Sequence, residues 1–113
     1  MTPGEIYLAN FPFGDAPGMK LRPVLLLTGQ VGPVPEVLVA YISSVLPPTV
    51  LSSDLIIDPA QAPFAPTRLK TTSVLRLHKL ATIHSRSLAR FLGRMPPTAL
   101  SDVRVKLQAL LNL

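Results

Sequence analysis

The chain has 113 residues, a formal net charge of +5, no cysteine and no tryptophan. That length is most simply one domain spanning 1–113, able to bury about two thirds of the surface its unfolded form exposes. Without cysteine, a disulfide scaffold, a thiolate metal site and a thiol nucleophile are all excluded.

Glu5 to Phe11 alternates loosely between polar and apolar positions and stops at Pro12, which predicts a first strand. The residues ahead of it lack the basic and apolar regions of a signal peptide, and the longest apolar run, Val37 to Ile42, is far too short for a bilayer. A soluble cytoplasmic protein without membrane contact is therefore expected. The loop Phe13-Gly14-Asp15-Ala16-Pro17-Gly18-Met19-Lys20 leads into Arg22-Pro23-Val24-Leu25-Leu26-Leu27. Proline fixes its own φ and pushes the residue before it toward extended geometry, so Arg22 is held where loop meets strand. That suits a rigid anion contact, and it also suits simple packing.

Arg22 to Thr28 and Glu36 to Ser44 read as the second and third strands, with Gly29, Gly32, Pro33 and Pro35 marking the connection. The third is nearly continuous in apolar residues and so is expected to be central, buried on both faces. A short strand at Asp54 to Asp58 follows, then a proline-rich surface loop over Pro59 to Pro66. Lys70 to His78 alternates again and would set Thr72, Val74, Arg76 and His78 on one face. Leu88 to Met95 fits either a helical turn or a strand. From Pro97, Leu100, Val103, Leu107, Leu110 and Leu111 recur at helical spacing, predicting an amphipathic C-terminal helix on the sheet. Thirteen prolines and short strands favour a mainly β small barrel over a helical bundle.

Charge is unevenly spread. Residues 1–60 carry two basic and five acidic side chains, whereas 61–113 carry nine basic and one acidic. Such a field attracts polyanions, of which nucleic acid is the commonest, although a solvated face or an acidic protein partner satisfies it equally. No phosphate-binding glycine loop or dinucleotide fingerprint is present, so no cofactor is expected. His78 and His84 are the only histidines and do not make a metal ligand set.

What remains is a set of arginines, hydroxyls and imidazoles, and such a set can cleave RNA. The reaction needs a base for the 2′-hydroxyl, cations for the phosphorane-like transition state and an acid for the leaving 5′-oxygen. Arg22 can clamp a phosphate bidentately, Arg76 can stabilise charge, and His78 offers an imidazole as acid or base. Ser43 and Ser44 end the third strand, where a hydroxyl can donate to a phosphate oxygen or simply close the turn toward Pro47-Pro48. Each has a plainer reading: Arg76 as an exposed strand residue paired with Asp54 or Asp58, His78 as an imidazole bonded within the fold, His84 as a loop residue.

Taken in order, Gly4-Glu5-Ile6-Tyr7-Leu8-Ala9-Asn10-Phe11, Lys20-Leu21-Arg22-Pro23-Val24-Leu25-Leu26-Leu27 and Val39-Ala40-Tyr41-Ile42-Ser43-Ser44 resemble segments of the MazF/PemK family of toxins. The resemblance continues through Lys70 to Leu80, Thr82-Ile83-His84 and Leu92-Gly93-Arg94-Met95 to the closing helix. It implies an SH3-like small barrel of the MazF/PemK/CcdB-like toxin fold with a strand over Arg90 to Met95. It further implies a homodimeric, sequence-specific, metal-independent endoribonuclease acting on single-stranded mRNA and neutralised by a cognate antitoxin protein. The family's catalytic arginine and strand-end hydroxyl match Arg22 and Ser43, and a later-strand arginine of some members matches Arg76. An acidic residue found two positions further in some members is His78 here, as a candidate acid or base. Lys20, Ser44, Lys79, Arg90 and Arg94 are the expected RNA contacts. In place of the Glu-Gln pair of many relatives, the first loop has Ala16-Pro17-Gly18-Met19-Lys20, like a subgroup with a Gly-x-Lys-x-Arg-Pro loop. A toxin of the same fold family binds DNA gyrase instead, so a non-catalytic gyrase inhibitor and a degenerate antitoxin-binding module are the rival readings.

Overall fold

The computed structural model describes residues 1–11 and 20–113, with only the backbone of Phe11 and Lys20. The loop Phe13–Met19 singled out in the sequence, and the side chain of Lys20, lie outside the described residues. Six strands form one antiparallel sheet: β1 (Glu5–Phe11), β2 (Lys20–Leu26), β3 (Glu36–Ser43), β4 (Asp54–Ile57), β5 (Ser73–His84) and β6 (Leu88–Arg94). Their spatial order is β4-β5-β3-β2-β1-β6, and a C-terminal helix α1 (Pro97–Leu111) completes the architecture expected from the sequence. No helix among the described residues is long and apolar enough to cross a membrane.

β3 is central, and strand periodicity explains its double burial. Val37 and Val39 point to a cluster with Ala9, Val24 and Leu26. Ala40 and Ile42 point to the main core, which holds Ile6, Leu25, Leu75 and Leu77 together with Ala99 and Val103 of α1. The helix begins as predicted, with Pro97 in its first turn, and stops at Asn112, whose left-handed backbone (φ 56°) lets its N–H bond back to Ala109 and Gln108. Its last turn differs from expectation. Leu100 and Leu107 pack on the core, but Leu110 and Leu111 are exposed, as is Leu113 beyond the helix.

β5 runs to His84, six residues past the expected end, because β3 is long enough to pair Glu36–Ala40 with Leu80–His84. His84 is thus the last strand residue rather than a loop residue, and its Nδ1 accepts from the Arg86 N–H at 3.1 Å to cap the 3₁₀ turn Ser85–Ser87. Between the paired positions Arg76 and Leu80 the ladder breaks: Tyr41 faces Arg76, the adjacent Ala40 faces Leu80, and residues 77–79 bulge out of register. The proline-rich segment contains another 3₁₀ turn, Ala62–Thr67. It closes over β6 at Gly93, where a Cβ would sit 2.6 Å from the Thr67 carbonyl oxygen and closer still to that of Pro66. Only glycine admits that approach, which covers the free flank of the β6 edge strand.

Candidate functional site

The site is a row built across four strands. Val24 of β2 faces Tyr41 of β3, so Arg22, two residues earlier on the same side, is the diagonal neighbour of Tyr41. Tyr41 faces Arg76 of β5, and Arg76 faces Asp54 of β4. Side chains follow that register. Arg22 Nη1 donates to the Tyr41 hydroxyl at 3.1 Å, and its guanidinium lies 5.8 Å from the ring centroid. Arg76 Nε donates to Asp54 Oδ1 at 3.0 Å. The bulge in β5 turns Lys79 back over Tyr41, with Nζ 5.7 Å from the ring centroid.

Arg22, Tyr41, Ser43, Arg76 and Lys79 line one cleft of about 410 Å³, walled by Val45 to Pro48. Arg22 also lines a second cleft of about 300 Å³ that contains Ser44 and Arg90. Period-two alternation explains the division: Tyr41 and Ser43 face the first cleft, Ile42 and Ser44 the second. With Arg68 and Lys70, five of the nine basic residues of 61–113 line one cleft or the other, and no carboxylate among the described residues lines either. The positive field is thereby focused on one end of the sheet.

Each remaining candidate other than Lys20 has a definite place. The Ser43 hydroxyl closes the strand-end turn, accepting from the Val45 N–H at 3.1 Å and lying 3.2 Å from the Val45 carbonyl. The local role anticipated for it is therefore real, and donation to a bound anion requires its proton to turn away from a long, weak bond. Arg76 is not the exposed partner of a surface pair: its side chain is 17% exposed and that of Asp54 is 0% exposed. His78 lines neither cleft; its Nδ1 stands 4.0 Å from Asp54 Oδ1, on the β4 side of the row. Arg94 also lines neither, bonding Glu5 Oε2 at 3.3 Å and lying over Phe91. The buried Nε of Arg22 has no acceptor among the described residues. A buried N–H left without a partner costs about 1–3 kcal/mol, so this group calls for an acceptor beyond the described residues.

Sequence reasoning passed over Tyr41, which reads as one more core residue of β3, and gave Asp54 only a minor part. Among the described residues no group of three His, Asp or Glu side chains is placed to hold a metal ion.

A model of the PemK-like, MazF-like toxins of type II toxin–antitoxin systems matches residues 2–111. Among solved structures, the Mycobacterium tuberculosis toxin MazF-mt6 is similar at 23% identity and a TM-score of 0.74, over 96% of this chain and 97% of that one. An endoribonuclease in complex with its cognate antitoxin from a mycobacterial species gives 15% and 0.72, over 100% and 96%. MazE-MazF from Deinococcus radiodurans gives 19% and 0.66, over 99% and 95%. No curated protein sequence matches the chain. At such identities the structural likeness is one of fold, and it is the match over nearly the whole sequence that decides membership: this chain belongs to the PemK-like, MazF-like toxin family of type II toxin–antitoxin systems.

Proposed function

We propose that the chain is the endoribonuclease toxin of its module, cutting single-stranded mRNA at specific sequences to leave 2′,3′-cyclic phosphate and 5′-hydroxyl ends without a metal ion. The observation that carries this reading is the cleft in which Arg22, Ser43, Arg76 and Lys79 converge with no carboxylate among the described residues of its lining. A scissile phosphate seated there meets Arg22 and Arg76 on its non-bridging oxygens, where the guanidinium groups offset charge gathering on the phosphorane-like transition state. Ser43 orients one oxygen once its hydroxyl turns from Val45. The 2′-oxygen bonds phosphorus and loses its proton as the bond to the 5′-oxygen breaks and that oxygen gains one, water in the open cleft relaying both. His78, outside the cleft lining, acts through Asp54 on the placement of Arg76 rather than on the reacting atoms.

Lys79, Ser44 and Arg90 line the path along which the RNA backbone would run, and Arg94, outside both linings, joins Lys20 in adding steering charge. Similar solved structures include an endoribonuclease with its cognate antitoxin and MazE with MazF. An antitoxin with an acidic segment is accordingly the protein partner for the same basic clefts. The assembly is a homodimer in the cytoplasm.

The test incubates purified protein, with and without EDTA, with a long mixed-sequence RNA and maps cut sites and end chemistry. Discrete cuts with cyclic phosphate ends in EDTA are expected. Arg22→Ala should lower cleavage by about 100-fold or more, with the folded circular dichroism spectrum kept. Intact RNA across a wide protein range would overturn the reading, and inhibition of gyrase supercoiling would then identify the binding toxin.

A further inference from the structure

We propose that the second cleft is a base-reading subsite: it holds the nucleobase next to the scissile phosphate, with Leu8, Leu69 and Leu92 as its apolar floor and Arg68, Lys70 and Thr71 as its reading rim. The inference rests on the ribonuclease reading above and assigns a role to residues that reading leaves unused.

Three features of the cleft carry it. The first is position. Arg22 lines both clefts, and the consecutive residues Ser43 and Ser44 divide between them, so the two cavities meet over the ends of β2 and β3. A phosphate on the Arg22 side leaves its neighbouring nucleotide at the mouth of the second cleft. The second is chemistry. A volume of about 300 Å³, walled by aliphatic side chains with hydroxyls and cations at the edge, complements a flat apolar ring that carries its hydrogen-bonding groups on its rim. Among the described residues the lining offers aliphatic packing and guanidinium planes for the faces of the base.

The third is rigidity held at a cost. Arg68 has φ 56° and ψ 24°, a left-handed backbone that glycine or asparagine takes far more readily. Its peptide N–H is fixed on the Ala65 carbonyl at 3.1 Å. On one side the buried Thr67 hydroxyl donates to the Phe64 carbonyl at 2.7 Å, and on the other the buried Ser73 hydroxyl donates to the Thr71 carbonyl at 2.9 Å. The segment between these anchors therefore presents Arg68, Lys70 and Thr71 on a pinned frame. A strained non-glycine residue at the lip of a cavity, where glycine would relieve the strain, points to a job for its side chain.

The experiment compares wild type with Arg68→Gly, Lys70→Ala and Thr71→Ala in the full chain, sequencing all cut ends from a mixed-sequence RNA. Thermal unfolding is measured in parallel, since Arg68→Gly suits the backbone it enters and should keep or raise the unfolding temperature. Relaxed preference at one position beside the cut is expected, with discrimination there falling about tenfold or more. A uniform drop across all sequences would reduce these residues to backbone contacts and overturn the proposal. Unchanged cut-site preference with weaker capture of an acidic antitoxin peptide would overturn it in favour of a protein-docking role. Wild-type protein that cuts no RNA removes the ribonuclease reading and the subsite together, whereas wild-type cutting with preferences the variants do not move removes the subsite alone.

Discussion

Asp54→Ala tests whether the row across β2, β3, β5 and β4 is built on a buried ion pair. The Asp54 side chain is 0% exposed, takes Arg76 Nε on Oδ1 at 3.0 Å, and takes the Leu51 N–H on Oδ2 at 2.8 Å. Removing one partner of a buried pair costs about 3–5 kcal/mol because the other charge is left without compensation. Arg76 keeps 17% exposure and can draw water from the cleft, so the lower end applies, about 3 kcal/mol with the loss of the Leu51 contact included. For a chain of this length that corresponds to roughly 12 °C in unfolding temperature. Urea unfolding of Asp54→Ala, Asp54→Asn, Arg76→Met and the Asp54→Asn/Arg76→Met double variant gives the coupling directly. The double variant should be more stable than the two single losses predict, since neither charge is then stranded. Cleavage by Asp54→Asn should fall at least tenfold with the fold intact, because Arg76 loses the partner that aims it. A change below about 0.5 kcal/mol for Asp54→Ala would refute the argument and return Arg76 to the status of a surface charge.

Gly93→Ala should destabilise by about 2–3 kcal/mol, read by the same unfolding assay, since its methyl group meets backbone carbonyls of Pro66 and Thr67 that cannot swing aside. Acid should reveal Glu5: burial raises its carboxyl, but the Thr2 N–H, the terminal ammonium and Arg94 together draw it net below the ordinary value. Ionised Glu5 therefore adds stability that is fully present above the unfolded carboxylate pKa and lost as pH falls through the lower folded value. Glu5→Gln should flatten that limb of a stability-against-pH curve, and an unchanged limb would contradict it. His78→Gln should lower cleavage only a few-fold and leave its pH profile in place, because a group outside the cleft does not exchange protons with the reacting atoms; a vanished limb of the profile would restore it as acid or base.

The residues that were legible in the sequence are those whose environment is set locally. Alternation placed β1 at Glu5–Phe11, and the unbroken apolar run of β3 announced a strand buried on both faces. Pro97 marked the helix start. The turn chemistry of Ser43 was equally local, and its bond with Val45 is the role such a serine has at a strand end. What was hidden depends on register between strands far apart in the chain. Tyr41 comes beside Arg22 and Arg76 only through the pairing of β2, β3 and β5. Lys79 reaches the same ring only because β5 bulges, an event that no periodicity in its own sequence records. His78 keeps the face of Arg76 that alternation expects, since both approach Asp54 Oδ1, but it stands on the β4 side of the row, outside the lining of the cleft.

Charge explains why this arrangement waits for an anion. Arg22, Arg76 and Lys79 share one cleft, and Asp54, seated behind Arg76 and away from the lining, offsets only part of their mutual repulsion. Tyr41 separates the two arginines and offers its ring to Arg22 and Lys79, which eases the crowding without cancelling it. Any polyanion that fills the cleft therefore stabilises the folded chain by linkage, whether it is an RNA strand or an acidic stretch of antitoxin. The two compete for the same cations. On the proposed mechanism an antitoxin segment needs no contact with the reacting atoms to silence the toxin, since occupying Arg22 and Arg76 would deny the scissile phosphate the charges assigned to its transition state.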